Sequence, residues 1–121
     1  MNTRKMNGDT LEIMNDNVVI IFITEKLVDD QMVMTVTGEI KNEVAHEFED
    51  ELMAAFSVCN TVRLNLSGVT YIASIAMRAL LSVQQIIDEN DDSSLVVTNV
   101  SPEVREIFES SGFIDILNIE E

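Results

Sequence analysis

Residues 62–81 read VRLNLSGVTYIASIAMRALL and join a strand pattern to a helix pattern. From Val62 to Leu66 apolar and polar side chains alternate, which is the period of a strand with one buried face. Ser67 and Gly68 favour a turn. A helix is predicted from Ser74 to Glu89, because its apolar residues recur at spacings of three and four and form one stripe. A strand, a tight connection and a helix in this order indicate an α/β protein.

The rest of the chain extends this alternation of strands and helices. The other predicted elements are strands at 18–23, 32–37 and 95–98, helices at 42–59 and from Ser101 to Gly112, and a short strand or turn at 114–119. Asn42 is the candidate N-cap of the first helix, while Ser101 and Pro102 mark the start of the last one. The pattern predicts an α/β fold with a mixed sheet, an antiparallel hairpin near the N-terminus and about three main helices.

Charge limits the classes of partner. The 22 acidic and seven basic residues give a formal net charge of −15. A field of this sign repels phosphate backbones and anionic membrane surfaces, so we expect no nucleic-acid partner, and a basic protein surface is favoured. The longest apolar run, Val18 to Ile23, is too short to cross a bilayer, so we expect no direct membrane insertion. Alternatively, the negative charge only keeps the domain soluble, and the sequence does not decide between a basic partner and solubility as its role. Residues 1–17 are polar and are interpreted as an N-terminal extension ahead of a single domain at 18–121. If the extension folds back, Met6 and Met14 would cover a sheet edge.

No pattern in the sequence is typical of an active site. The single histidine, His46, lies in a predicted helix among acidic residues and is best interpreted as a surface residue. No Cys and His set has metal-ligand spacing, and the four glycines lie too far apart for a phosphate-binding loop. We therefore expect no enzymatic activity, no cofactor and no metal. A single cysteine, Cys59, and the lack of an apolar secretory segment in the first ten residues predict a cytoplasmic protein.

The stretch quoted first resembles the STAS domain family, and within it the bacterial anti-sigma-factor antagonists. In that family a strand of the type Leu-Asp-Leu-Ser is followed by an aromatic and an aliphatic residue, the motif Asp-Ser-Ser-Gly, and a Leu-rich helix. Here LNLSGVTYI at 64–72 is similar to the strand, and VTGEI at 36–40 to a second signature. Residues 100–104 and 110–113 resemble the last helix and its end. The resemblance covers roughly residues 19–119.

This resemblance implies a STAS-like mixed sheet with its helices packed mostly on one face. It also implies a partner: an anti-sigma factor that is a serine kinase with a histidine-kinase-like ATPase fold. Phosphorylation of one serine in the antagonist blocks capture of that kinase, and a serine phosphatase reverses the block. Carried over to this sequence, the phosphoacceptor is Ser74. The implied partner-binding residues are Glu39, Lys41, Ala73, Ser74, Ile75, Ala76, Met77 and Arg78.

The family motif is degenerate here. Ala73 stands in place of its Asp, Ile75 in place of its second Ser and Ala76 in place of its Gly, while Lys41 replaces the acid that closes the second signature. Ser74 is therefore either a phosphoacceptor or only a helix N-cap. The alternative function is a non-switching STAS subunit bound to the ATPase of a lipid-trafficking ABC transporter, in which no phosphoserine is needed.

Two neighbours of Ser74 on the predicted helix extend this interpretation. Arg78, about one turn further on, is either a holder of the phosphate or a solvated helix residue. Met77 is predicted on the side opposite the main apolar stripe, where it would contribute to a docking surface.

Overall fold

The computed structural model describes residues 2–90 and 92–120. The elements, in chain order, are β1 (Asn2–Asn7), β2 (Thr10–Asn15), β3 (Val18–Val28), β4 (Gln31–Ile40), α1 (Ala45–Phe56), β5 (Thr61–Ile72), α2 (Ser74–Asp88), β6 (Ser94–Thr98), α3 (Pro102–Ser111) and β7 (Ile119–Glu120). A 3₁₀ turn at Asn42–Val44 leads into α1, and a second one at Phe113–Asp115 follows α3.

Within the described ranges, the strands form one sheet in the order in which they occur in the sequence. β1 to β4 pair antiparallel through hairpins, whereas β4 to β7 pair parallel. Parallel neighbours need crossover connections, and α1, α2 and α3 supply them. The predicted α/β fold with a mixed sheet and three main helices is confirmed.

The core lies against one face of this sheet. On β4 the buried residues alternate as Met32, Met34 and Val36, and the pairing places Met32 beside Val62 and Met34 beside Leu64 of β5. The helices add their apolar faces to the same cluster, including Phe48, Leu52, Ala76 and Leu80. The intervening residues of both strands are only partly covered, which is the alternation expected of a sheet with helices on one side.

β5 continues through the predicted turn. It runs unbroken from Thr61 to Ile72, so the prediction of a turn at Ser67 and Gly68 is wrong. The pairing with β4 shifts register at this point, and Gly68 lies opposite Thr37. A Cβ on Gly68 would lie 2.9 Å from the Thr37 hydroxyl oxygen, so the glycine permits a close approach between strands. The Ser-Gly pair therefore marks a bulge and not a reversal of the chain.

The N-terminal stretch also differs from expectation, because residues 2–15 form β1 and β2, where the sequence analysis placed no strand. β2 buries Leu11 and Ile13 in the core, and β1 forms the edge of the sheet. The β2–β3 connection uses Asp16 and Asn17 at φ of 52° and 66°. Both residue types tolerate this left-handed conformation, which is typical of tight hairpins.

Of the predictions for the ends of α1 and α3, two are confirmed and one is wrong. Ser101 caps α3 as predicted: its hydroxyl accepts from the Val104 N–H at 3.2 Å and donates to the Val69 carbonyl at 2.5 Å. Gly112 ends α3 at a φ of +83°, also as predicted. Asn42 is not an N-cap, because it lies inside the 3₁₀ turn and makes no capping hydrogen bond.

Candidate docking site

The carboxyl ends of β4 and β5 lie side by side because the two strands are parallel. The end of the sheet that they form is called the docking edge, as distinct from the edge strand β1. Glu39 lies opposite Tyr71, and Ile40 lies opposite Ile72. The Ala73 N–H donates to the Ile40 carbonyl at 2.8 Å, which extends the pairing by one residue and holds the start of α2 against the end of β4. The two signatures that are distant in the sequence therefore come together here.

A shallow depression lies at this edge. Its lining residues are Glu39, Lys41, Asn42, Glu43, Tyr71 and Ala73. The Lys41 ammonium lies 3.2 Å from the Glu39 carboxylate, and the two side chains are 43% and 49% exposed. An ion pair this exposed contributes less than about 1 kcal/mol to folding, so both groups can exchange partners at little cost.

Ser74 is exposed beside this depression as the first residue of α2. The predicted N-cap role of Ser74 is wrong, because Ala73 occupies the cap position and no side chain caps this helix. The Met77 N–H donates to the Ala73 carbonyl at 2.9 Å, so the N–H groups of residues 74–76 precede the first hydrogen bond of the helix. A hydroxyl at the positive end of a 15-residue helix is well placed to carry an anionic group.

Three of the predicted partner-binding residues are buried, and the first of them, Ala73, is 3% exposed. Ala76 is fully buried and Met77 is 8% exposed, so neither presents a side chain to a partner. The Met77 sulfur lies 4.0 Å from the hydroxyl of Ser111, the last residue of α3. The prediction that Met77 belongs to the docking surface is wrong, because the buried face of α2 is wide enough to include Met77 beside Leu80 and Gln84.

Ile75 and Arg78 are exposed, as a docking role requires. Together with Ala45, His46, Glu49, Ala79 and Ser82 they line a shallow groove between α1 and α2. His46 lies on the surface, with Nε2 3.4 Å from the Asp50 carboxylate and its side chain 80% exposed. Ile75 is 50% exposed and is thus an apolar contact available next to Ser74.

Sequence reasoning did not include three residues of the depression: Asn42, Glu43 and Tyr71. Tyr71 is 45% exposed and lies in the stretch that carries the family resemblance. Its place beside Glu39 follows only from the register between β4 and β5. An aromatic residue with a polar tip is a common anchor at protein interfaces.

The described residues hold no group of three or more His, Cys, Asp or Glu side chains arranged to bind a metal ion. In ranges 2–90 and 92–120, no helix has both the length and the apolar character needed to cross a membrane.

Comparison with known proteins identifies the family. Residues 23–118 match the family described as Mlab, STAS domain. The chain belongs to the STAS domain family. This STAS domain is 30% identical over 98 residues to the candidate anti-sigma factor antagonist BtrV of Bordetella bronchiseptica, an alignment that spans 80% of this chain and 84% of BtrV.

Solved structures share the fold of this STAS domain. A candidate anti-sigma factor antagonist from Thermotoga maritima superposes with a TM-score of 0.73 at 21% identity, over 82% of this chain and 86% of that one. The Bacillus cell fate determinant SpoIIAA in its phosphorylated form superposes with a TM-score of 0.61 at 16% identity, over 82% of this chain and 91% of that one. β1 and β2 precede the matched residues 23–118 of this STAS domain.

Proposed function

We propose that this STAS domain is an anti-sigma-factor antagonist. It captures an anti-sigma factor that is a serine kinase of the histidine-kinase-like ATPase type, in the cytoplasm, and it has no catalytic activity of its own. The antagonist role is supported by BtrV, whose name assigns it to this class and which shares 30% identity with this chain. The kinase as partner rests on the resemblance of residues 64–72 and 36–40 to the two family signatures.

The observation that carries this proposal is the position of Ser74. Its exposed hydroxyl lies at the start of α2, next to a depression formed by Glu39, Lys41 and Tyr71. A partner that covers this edge would bury the hydroxyl at the interface. We propose Glu39, Lys41, Tyr71, Ser74, Ile75 and Arg78 as the contact residues.

A phosphoryl group on Ser74 would act through charge. It adds nearly two negative charges and three acceptor oxygens. Within this chain it gains from the N-terminal end of α2, and the exposed Arg78 is one turn away on the same helix. It would also add to the negative charge of Glu39 and Glu43, which line the depression on the same surface of this chain. We expect phosphorylation to weaken capture by about tenfold or more, because the added negative charge on an already acidic surface must lose water when the interface closes.

A second function is favoured by the degenerate motif. Ala73 is 3% exposed and offers no carboxylate beside Ser74, and the methyl group of Ala76 is packed in the core. The local charge that a kinase would recognise in the family motif is thus absent. The non-switching alternative, a subunit bound to an ABC-transporter ATPase, needs docking but no phosphorylation.

The experiment that separates the two functions is phosphosite mapping. The purified chain is incubated with ATP and the histidine-kinase-like anti-sigma factor of its source organism, and modified peptides are identified by mass spectrometry. We expect phosphate on Ser74 and none on the Ser74→Ala variant. Ser82, exposed on the same helix, serves as the internal control. Phosphate on Ser82 alone, or no phosphate on a chain that still binds the kinase, would contradict the role of Ser74.

A further inference from the structure

β1 is attached to α1 by polar side chains. Asn2, Arg4 and Met6 alternate along β1 and pair with Asn15, Ile13 and Leu11 of β2, so they share the sheet face on which the helices pack. The Asn2 amide donates to the Glu47 carboxylate at 2.7 Å and also to the backbone carbonyl of Glu43. The Arg4 guanidinium forms an ion pair with Glu51.

The spacing of Asn2 and Arg4 along β1 is close to the spacing of Glu47 and Glu51 along α1. Two residues along a strand advance by about 7 Å, and four residues along a helix advance by about 6 Å. Asn2 and Arg4 can therefore meet Glu47 and Glu51 in the same register. β1 thus follows the flank of α1 for about one helical turn.

The contacts from β1 offset an unfavourable electrostatic interaction between carboxylates on α1. Glu47 and Glu51 lie four residues apart on α1 and place like charges on one flank, which is unfavourable. Beneath β1 these carboxylates are partly desolvated: the Glu51 side chain is 13% exposed, and one carboxylate oxygen of Glu47 is buried without a hydrogen-bond partner. A covered carboxylate needs a paired positive charge, and Arg4 provides it for Glu51.

Apart from its pairing with β2 along Asn2–Asn7, β1 makes few contacts with the rest of the domain. Residues 3–7 are all exposed, and Met6 leaves 61% of its surface in solvent. As the edge strand, β1 pairs with β2 alone. A segment with few buried apolar contacts opens locally at low cost, so the side-chain contacts to α1 decide how firmly it is attached.

The same contacts reach the docking depression. Glu43, whose carbonyl accepts from Asn2, lies in the Asn42–Val44 turn and lines the depression. We propose that β1 is a detachable strap, and that its attachment to α1 through Asn2 and Arg4 holds the Asn42–Val44 turn, and with it the rim of the docking site, in place. The regulatory consequence of this strap rests on the proposed function, whereas the mechanical coupling does not.

The test is hydrogen–deuterium exchange of the full chain without a partner. Arg4→Glu places a negative charge against Glu51 and is compared with Lys26→Glu, which makes the same charge change at an exposed residue of β3. We expect Arg4→Glu to raise exchange by about tenfold or more in β1 and in residues 42–47, with no change in β6. Lys26→Glu should leave all three regions as in the wild type.

A charge swap separates the contact from general destabilisation. The double variant Arg4→Glu/Glu51→Arg should restore protection in both β1 and residues 42–47. The proposal is overturned if Arg4→Glu leaves β1 protected, if β1 loosens while residues 42–47 do not, or if the swap restores nothing. In a parallel arm, binding of the anti-sigma kinase should weaken with Arg4→Glu and recover with the swap. Exchange that behaves as expected while wild type fails to bind would count against the proposed function and not against the strap.

Discussion

Replacing Ile75 with alanine tests whether the start of α2 is a docking surface, because the helix supplies its own control. Ile75 is 50% exposed and Ile86, on the same helix, is 51% exposed. The two residues are alike in chemistry and exposure, but only Ile75 lines the groove next to Ser74. A difference between the two variants in partner binding therefore reports on position alone.

The expected magnitude follows from the exposed half of the side chain. Full burial of an isoleucine side chain is worth about 2 kcal/mol, so burial of the remaining half at an interface is worth about 1 kcal/mol. Ile75→Ala should therefore weaken binding by about fivefold, and Ile86→Ala should leave it within about twofold of wild type. The stability of both variants should change by less than about 0.5 kcal/mol, because both sites are on the surface.

Isothermal titration calorimetry with the purified anti-sigma kinase measures this difference, and thermal unfolding verifies that both variants are folded. An equal loss of affinity in the two variants would show that the whole helix is involved or that the effect is indirect. Unchanged affinity for Ile75→Ala would place the docking surface elsewhere on the molecule.

Three further predictions concern stability. Ser101→Ala removes a helix cap and leaves a β5 carbonyl unpaired, so we expect a loss of about 2 kcal/mol and a fall in Tm of about 8 °C, against little change for the exposed Ser110→Ala control. Gly38→Ala, at a φ of +118° and with its Cβ overlapping a backbone carbonyl, should cost about 3 kcal/mol or more in urea denaturation, whereas Gly8→Ala, at +63° in open space, should cost about 1 kcal/mol. Burial raises the pKa of Glu25 above its ordinary value of 4.5, and the positive charge of Arg4 partly offsets this rise. Protonated Glu25 therefore adds to the stability of the folded protein below pH 4.5, and this contribution is lost as the pH rises through the raised pKa. Glu25→Gln should accordingly be more stable than wild type at neutral pH and lose that advantage in acid; an equal difference at both pH values would contradict this.

Features with local chemical causes could be predicted from the sequence. The start of α3 at Ser101 and Pro102 and its end at Gly112 follow from residues that satisfy or avoid backbone groups within a few positions. The bounds of α2, predicted at 74–89 and observed at Ser74–Asp88, follow from its periodicity. Such signals need no knowledge of what packs against the element.

Features that depend on distant partners could not be predicted in this way. Ser67 and Gly68 favour a turn locally, and only the pairing with Thr37 makes them a bulge within a strand. Met77 lies outside the apolar stripe predicted for α2, yet it is buried at the margin of a wider buried face, close to the end of α3. β1 is short and polar, and its pairing with β2 and its contacts with α1 define it as a strand, whereas the alternation of buried Leu11 and Ile13 along β2 is a local signal.

The residues of the candidate site also fall into two groups: those indicated by the local sequence and those that depend on distant partners. Ser74 and the residues around it were found because they resemble a family motif in one continuous stretch. Tyr71, Asn42 and Glu43 join the depression through the parallel register of β4 and β5 and the 3₁₀ turn that follows β4. The part of a docking surface that is built by topology becomes visible only in the structure.

The most direct test of the central claim is capture of the anti-sigma kinase by three immobilised forms of this STAS domain: wild type, Ser74→Ala and Ser74→Glu. We expect wild type and Ser74→Ala to bind the purified kinase with equal affinity, and Ser74→Glu to bind it about tenfold or more weakly because of its added charge at the docking edge. Equal binding by all three forms would contradict the role of Ser74 as a control point, and the absence of binding by folded wild type would contradict the antagonist function itself.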